Sequence, residues 1–147
     1  MENYEIGKNT LAVIGMGRKK AKIIESESDF IVNSMAYEVM DHSCCYYGSS
    51  YSGRTEGSRE ILKCEYKLPI IVEETREIIF FPTQSPSADA CIWLSLENID
   101  HVEGNEKSCT IIFKNGKTLT IFRSKDSIEN QLYRATRLKY LISERKK

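Results

Sequence analysis

The sequence predicts an α+β fold: one antiparallel, β-rich domain with a long C-terminal helix and a shorter helix near residues 35–47. Three observations carry that prediction. Short apolar runs punctuated by glycine, proline and polar turns recur from residue 10 to residue 122. An Asn115-Gly116 pair sits between two such runs, and beyond it apolar residues fall at helical spacing almost to the last residue.

The first 33 residues read as strands joined by turns. Thr10-Leu11-Ala12-Val13-Ile14 ends at Gly15 and Gly17, and Lys22-Ile23-Ile24 and Phe30-Ile31-Val32 follow. The basic cluster Arg18-Lys19-Lys20 falls in the turn between the first two, where cations either touch phosphates or simply keep a hairpin tip soluble. From Ser34 to Tyr47, Tyr37, Val39, Met40, Cys44 and Tyr47 recur at steps of three and four, which marks a helix face with Ser34 as its N-cap. The stretch Gly48 to Gly57 is too rich in glycine and hydroxyls to continue that helix and reads as a long loop.

Strand character returns with Ile61-Leu62, then Pro69 to Val72, Glu77 to Phe81 and Cys91 to Leu94, with a loop over Gln84 to Asp89. Residues 110–114 and 117–122 flank Asn115-Gly116 and predict a hairpin with a two-residue type I′ turn. Ser124 or Ser127 then caps a helix over about residues 125–144, whose buried stripe is Ile128, Leu132, Ala135, Leu138, Leu141 and Ile142. Strands followed by a helix occur twice, so residues 1–147 form one domain or two packed halves, about 1–65 and 66–147.

With 147 residues, 41% of them hydrophobic, the chain is large enough to bury a core without metals or disulfides. No apolar run reaches a membrane-spanning length, and Met1-Glu2-Asn3-Tyr4-Glu5 lacks a signal peptide's basic start, which predicts a cytoplasmic protein. Five cysteines with no regular spacing argue against a stapled secreted scaffold and read as small buried hydrophobes. His42, Cys44 and Cys45 are close in sequence, but no second ligand pair accompanies them, so neither a metal nor any other cofactor is expected, nor an enzyme.

The 21 Lys and Arg cancel the 21 Asp and Glu, so the net charge attracts no particular partner. The distribution is uneven. Residues 124–147 hold seven basic against three acidic side chains, a balance of +4, and the preceding 123 residues carry −4.

Five segments, in order, resemble the ComK family of bacterial competence transcription factors. The most specific is Asp41-His42-Ser43-Cys44-Cys45-Tyr46-Tyr47-Gly48-Ser49-Ser50-Tyr51-Ser52-Gly53-Arg54. The others are Lys67 to Val72, Phe80 to Ser85 with Cys91 to Ser95, Lys114 to Thr118, and Ser127 to Arg134. The resemblance spans residues 4–142 and implies a transcriptional activator of DNA-uptake genes that binds pairs of AT-rich boxes, largely through the minor groove, as a homodimer or higher homo-oligomer working with RNA polymerase. Arginines entering a narrow A·T minor groove and bending of the duplex are the chemistry it implies. Familiar members extend further at the C-terminus, where a tail serves adaptor-mediated proteolysis, whereas this chain stops at Lys147.

Within that resemblance the expected contacts to double-stranded DNA are Ser49, Ser50, Tyr51 and Arg54 in the glycine-rich stretch, Arg59 and Lys63 after it, Lys117 at the hairpin, and Arg134 and Arg137 on the terminal helix. Arg134, Arg137 and Arg145 fall within about 80° on a helical wheel. Trp93 reads as a core aromatic or an interface anchor, and Tyr51 as the tyrosine nearest to solvent. An alternative reading keeps the fold and makes the chain a protein-interaction module that pairs with a full-length activator without binding DNA strongly itself.

Overall fold

The computed structural model describes residues 3–147; Met1 and Glu2, part of the N-terminal stretch read for a signal peptide, lie outside the described residues. Nine strands and three helices follow in the order β1 (Thr10–Gly15), β2 (Ala21–Glu25), β3 (Asp29–Val32), α1 (Ala36–Tyr46), α2 (Tyr51–Leu62), β4 (Ile70–Glu73), β5 (Ile78–Pro82), β6 (Ile92–Ser95), β7 (Ile99–Gly104), β8 (Cys109–Phe113), β9 (Thr118–Ile121) and α3 (Lys125–Arg145). The α+β class, the antiparallel sheets and the long C-terminal helix are as the sequence predicts.

Six strands form one antiparallel sheet in the order β3-β2-β1-β6-β5-β4, and β7-β8-β9 form a second. The seam between β1 and β6, with Val13 opposite Trp93, joins the first hairpin to the later strands in one continuous sheet. Both faces of that sheet are covered, which explains why its strands read as unbroken apolar runs. In β5, Ile78 and Phe80 enter one core with Val13, Ile23, Trp93 and the α1 residues Val39, Met40 and Cys44. Ile79 and Phe81 enter the opposite core with Leu94, the second sheet's Ile111 and Phe113, and α3's Ile128, Ala135 and Leu138. The molecule is thus layered: α1, the large sheet, then the small sheet with α3. Helix α2 crosses at the β4 edge, with Tyr51 packed against the first core and Leu62 buried in the second.

Helix α3 starts where the sequence places it, since the Ser124 hydroxyl accepts the Ser127 N–H at 3.1 Å. Four local readings differ. Helix α1 is capped one residue later, at Met35, because Glu38 reaches back to the Met35 N–H at 3.0 Å and so occupies the third helical position. The stretch Gly48 to Gly57 is a short turn followed by α2, and Ile61-Leu62 is the end of that helix rather than a strand. Strand β7, unread in the sequence, buries Ile99 and Val102, and a bulge between Ile99 and His101 replaces two-residue alternation with a three-residue step.

The fourth concerns the Asn115-Gly116 hairpin. It forms between the expected strands, yet Phe113 pairs with Lys117, leaving a three-residue loop, and only Gly116 takes a positive φ (93°). Asn115 does not, so the turn is the glycine-bulge variety rather than type I′.

Candidate functional site

The most specific sequence segment, residues 41–54, folds into the junction between α1 and α2. Gly48 ends α1 at φ +91°, a backbone setting suited to glycine. The Ser49 N–H closes the turn on the Cys44 carbonyl at 3.0 Å. The Ser50 hydroxyl caps α2 by accepting the Gly53 N–H at 2.9 Å, while Asp41 accepts the Tyr51 N–H at the same distance. A Cβ at position 53 would lie 3.2 Å from the hydroxyls of both Ser49 and Ser50, so glycine leaves the cap its room. Two of the three glycines that suggested a loop are therefore inside a helix.

Tyr51 is packed inward, contrary to the expected exposure. Its ring meets Tyr37 edge-on at 4.9 Å and Trp93 at 6.0 Å, and burial raises its phenol pKa. Trp93 is fully buried and belongs to the core. The exposed tyrosine of this segment is Tyr46, while Tyr47 donates to the Ile6 carbonyl at 2.7 Å and lies under the Arg76 guanidinium. Beneath the junction the Cys44 thiol is pushed up to about 12 by burial, an effect that nearby Arg54 partly opposes. Arg54 is half-buried, and its Nε is enclosed without a hydrogen-bond partner among the described residues.

The remaining expected cations are mostly engaged within the chain. Arg59 pairs with Glu56 at 2.9 Å and Glu65 at 3.4 Å, and Lys63 with Glu60 at 2.8 Å. Lys117 holds Asp29 at 2.8 Å and the Glu25 carbonyl at 2.7 Å, which docks the β8–β9 loop on the β2–β3 turn. Arg134 donates to the carbonyls of Tyr66 at 2.7 Å and Lys67 at 3.3 Å, next to Gln131, whose amide donates to the Lys67 and Pro82 carbonyls at 2.8 Å each. Arg137 is exposed and, among the described residues, engaged by no hydrogen bond or ion pair. The three arginines of the terminal helix therefore face different surroundings: Arg134 is tied to a loop, Arg137 is open, and Arg145 lies near Glu60.

The β1–β2 tip, left between phosphate contact and mere solubility in the sequence, is not among the expected DNA contacts. Arg18, Lys19 and Lys20 are all exposed there, and among the described residues their one ion pair is a loose one of 3.7 Å from Arg18 to Asp89. Outer faces also carry large apolar side chains: Tyr133 and Tyr140 flank Arg137 on α3 and are 65% and 62% exposed, and Phe122 beyond β9 is 85% exposed. Among the described residues no three His, Cys, Asp or Glu side chains are grouped to hold a metal ion, and no helix is long and apolar enough to cross a membrane. All five cysteines are free; Cys44, Cys91 and Cys109 are buried as expected, but Cys45 is exposed.

A polar junction, scattered cations and two packed sheets do not by themselves name a function. The chain's relatives do: the family model described as ComK protein matches residues 1–147. This chain belongs to the ComK family. It is 36% identical over 149 aligned positions to a competence transcription factor of Bacillus subtilis (strain 168), covering 99% of this chain and 78% of that protein. No solved structure matches it.

Proposed function

We propose that this ComK-family chain is a DNA-binding regulator of competence genes, acting in the cytoplasm on AT-rich promoter boxes through the minor groove. The observation that carries the reading is the end-to-end match to a competence transcription factor. The structure supplies compatible parts. Arg54 and Arg137 retain donors that no partner among the described residues uses, and a narrow A·T groove attracts guanidinium groups by its negative potential. That groove distinguishes A·T from G·C and little else, so sequence preference should come mainly from shape and bending.

Homodimerisation, or a higher assembly, belongs to the same proposal, with RNA polymerase as a further partner. The outer face of α3, where Tyr133, Arg137 and Tyr140 stand together, has the aromatic and arginine composition of a protein interface. A gel-shift comparison of AT-box duplexes with GC-rich duplexes at moderate salt tests the proposal. Preferential retardation of the AT boxes is expected; equal binding to both, or none, would overturn it.

One observation favours the second reading, a module that pairs with another activator: Glu56, Glu60 and Glu65 neutralise Arg59 and Lys63 on α2. Under that reading the chain co-purifies with a longer homologue and shifts no DNA alone.

A further inference from the structure

The registers of the six-stranded sheet bring several separate segments to one end. There β1 stops at Gly15 opposite Ala21, β5 stops at Pro82 opposite Trp93, and β4 starts at Ile70 opposite Phe80. That end therefore carries the β1–β2 tip (residues 16–20), the β5–β6 connection (residues 83–91) and Lys67 just before β4. These segments contribute Arg18, Lys19, Lys20 and Lys67 against one carboxylate, Asp89. Arg123 joins them from the end of β9, its guanidinium reaching the side-chain carbonyl of Gln84 in the same connection.

The tip is held by backbone rather than left to swing. Gly15 N–H donates to the Cys91 carbonyl at 2.9 Å, Gly17 N–H to the Asp89 carbonyl at 3.3 Å, and Met16 N–H closes the turn on Lys20 at 3.1 Å. The approach is so close that a Cβ at Gly15 would stand 2.3 Å from the Asp89 carbonyl oxygen. The three cations thus project from a fixed platform, with Arg18 keeping 86% of its side chain accessible. Fixed cations lose little backbone freedom when an anion arrives. A row of like charges facing solvent suits a ligand of regularly repeated negative charge, and each strand of a duplex carries one phosphate for about every 3.4 Å of helix axis.

We propose that this end of the sheet, through Arg18, Lys19, Lys20 and Arg123, is a contact surface for the sugar–phosphate backbone of duplex DNA. It rests on the reading of the chain as a DNA-binding protein and adds where the sequence-independent part of the affinity arises. Phosphate contacts of this kind set orientation and salt dependence while base-edge and groove contacts made elsewhere set preference.

The test compares two variants of equal charge change. Lys19→Gln/Lys20→Gln alters the tip. Lys8→Gln/Lys114→Gln alters two exposed lysines at the opposite end, where β1 begins and the β8–β9 loop packs on the β2–β3 turn. Binding to an AT-box duplex is measured across a salt series, with thermal melting as a check on folding. The tip pair should flatten the slope of log affinity against log salt by about 2, close to 0.9 per lost phosphate contact, and keep the AT preference. The control pair should leave that slope nearly unchanged. Equal slopes in the two variants would overturn the proposal while leaving the DNA-binding reading intact. Failure of the unaltered protein to bind duplex DNA would overturn both. Loss of binding to phosphatidylserine vesicles by the tip pair, with DNA binding retained, would reassign the surface to membranes and overturn it as well.

Discussion

Asp41 on α1 accepts the backbone N–H of Tyr51, the first residue of α2, at 2.9 Å. One helix therefore supplies a cap to the next, together with the Ser50 hydroxyl on Gly53. Both groups satisfy N–H donors that the first helical turn leaves without internal partners. Asp41→Ala should destabilise the protein by about 1 kcal/mol, the usual worth of a lost N-terminal cap. Amide exchange within residues 51–54 should accelerate more than in α3. Urea denaturation and hydrogen exchange check this; uniform acceleration in both helices would point to global destabilisation instead.

A second carboxylate gives the protein a defined acid sensitivity. Burial of Glu73 would raise its pKa, but the Thr75 hydroxyl at 2.6 Å and the Arg76 guanidinium and N–H outweigh that and hold it at about 2. A folded-state pKa below the ordinary value means the unfolded chain binds the proton more readily. The contribution is therefore complete above the ordinary carboxylate range and disappears as pH falls toward 2. Glu73→Gln should cost about 1 to 3 kcal/mol at pH 7, as expected for charged hydrogen bonds. The gap between the unaltered protein and the variant should shrink between pH 4.5 and pH 2. Denaturation midpoints measured over that range would show it; a gap independent of pH would remove the charge from the explanation.

How much of this was legible in sequence follows from which forces act locally. The α3 start needed only a serine cap, Ser124 or Ser127, and the periodicity after it, and the hairpin needed only Asn115-Gly116 between two apolar runs. Helix α2 could not be read that way. Its glycines and serines disfavour a helix taken alone, and what sustains it is tertiary: the Asp41 cap, Tyr51 against Trp93, and Leu62 in the far core. Strand β7 was hidden by its bulge. Among the candidate contacts, residue type was legible but engagement was not. Nothing near Lys117 in sequence announces Asp29, and nothing near Arg134 announces the carbonyls of Tyr66 and Lys67. The Arg18-Lys19-Lys20 cluster was visible, but its fixed position depends on the β5–β6 connection some seventy residues away.

The thiols should sort by burial. Cys45 is exposed, whereas Cys44, Cys91 and Cys109 are buried and burial raises the pKa of all three. Thiolate is the reactive form, so enclosed and poorly ionised thiols react slowly. Iodoacetamide at pH 7 should alkylate Cys45 fastest and reach the three buried thiols at a rate that tracks unfolding. Peptide mass spectrometry over time separates these. Modification of Cys44 as fast as Cys45 would mean that the α1–α2 junction opens far more readily than its capping bonds imply.

The proposed DNA recognition is tested at two arginines, Arg54 at the α1–α2 junction and Arg137 on α3. Arg54 is half-buried, its Nε enclosed without a partner among the described residues, and it stands beside a thiol that stays protonated at neutral pH. Its charge is therefore not neutralised by that neighbour. If the guanidinium enters the minor groove, Arg54→Ala should weaken binding to AT boxes by about 1 to 3 kcal/mol and reduce their advantage over GC-rich duplexes. The stability cost should be small, since no hydrogen bond at Nε is lost. Arg137→Ala, on the exposed face between Tyr133 and Tyr140, separates groove contact from self-association. If that face joins two copies, sedimentation will show weaker assembly, and DNA affinity will fall in proportion to the lost dimer at low protein concentration. DNA affinity unchanged by both Arg54→Ala and Arg137→Ala would move recognition away from both helices and leave the cationic end of the large sheet as the surface to pursue.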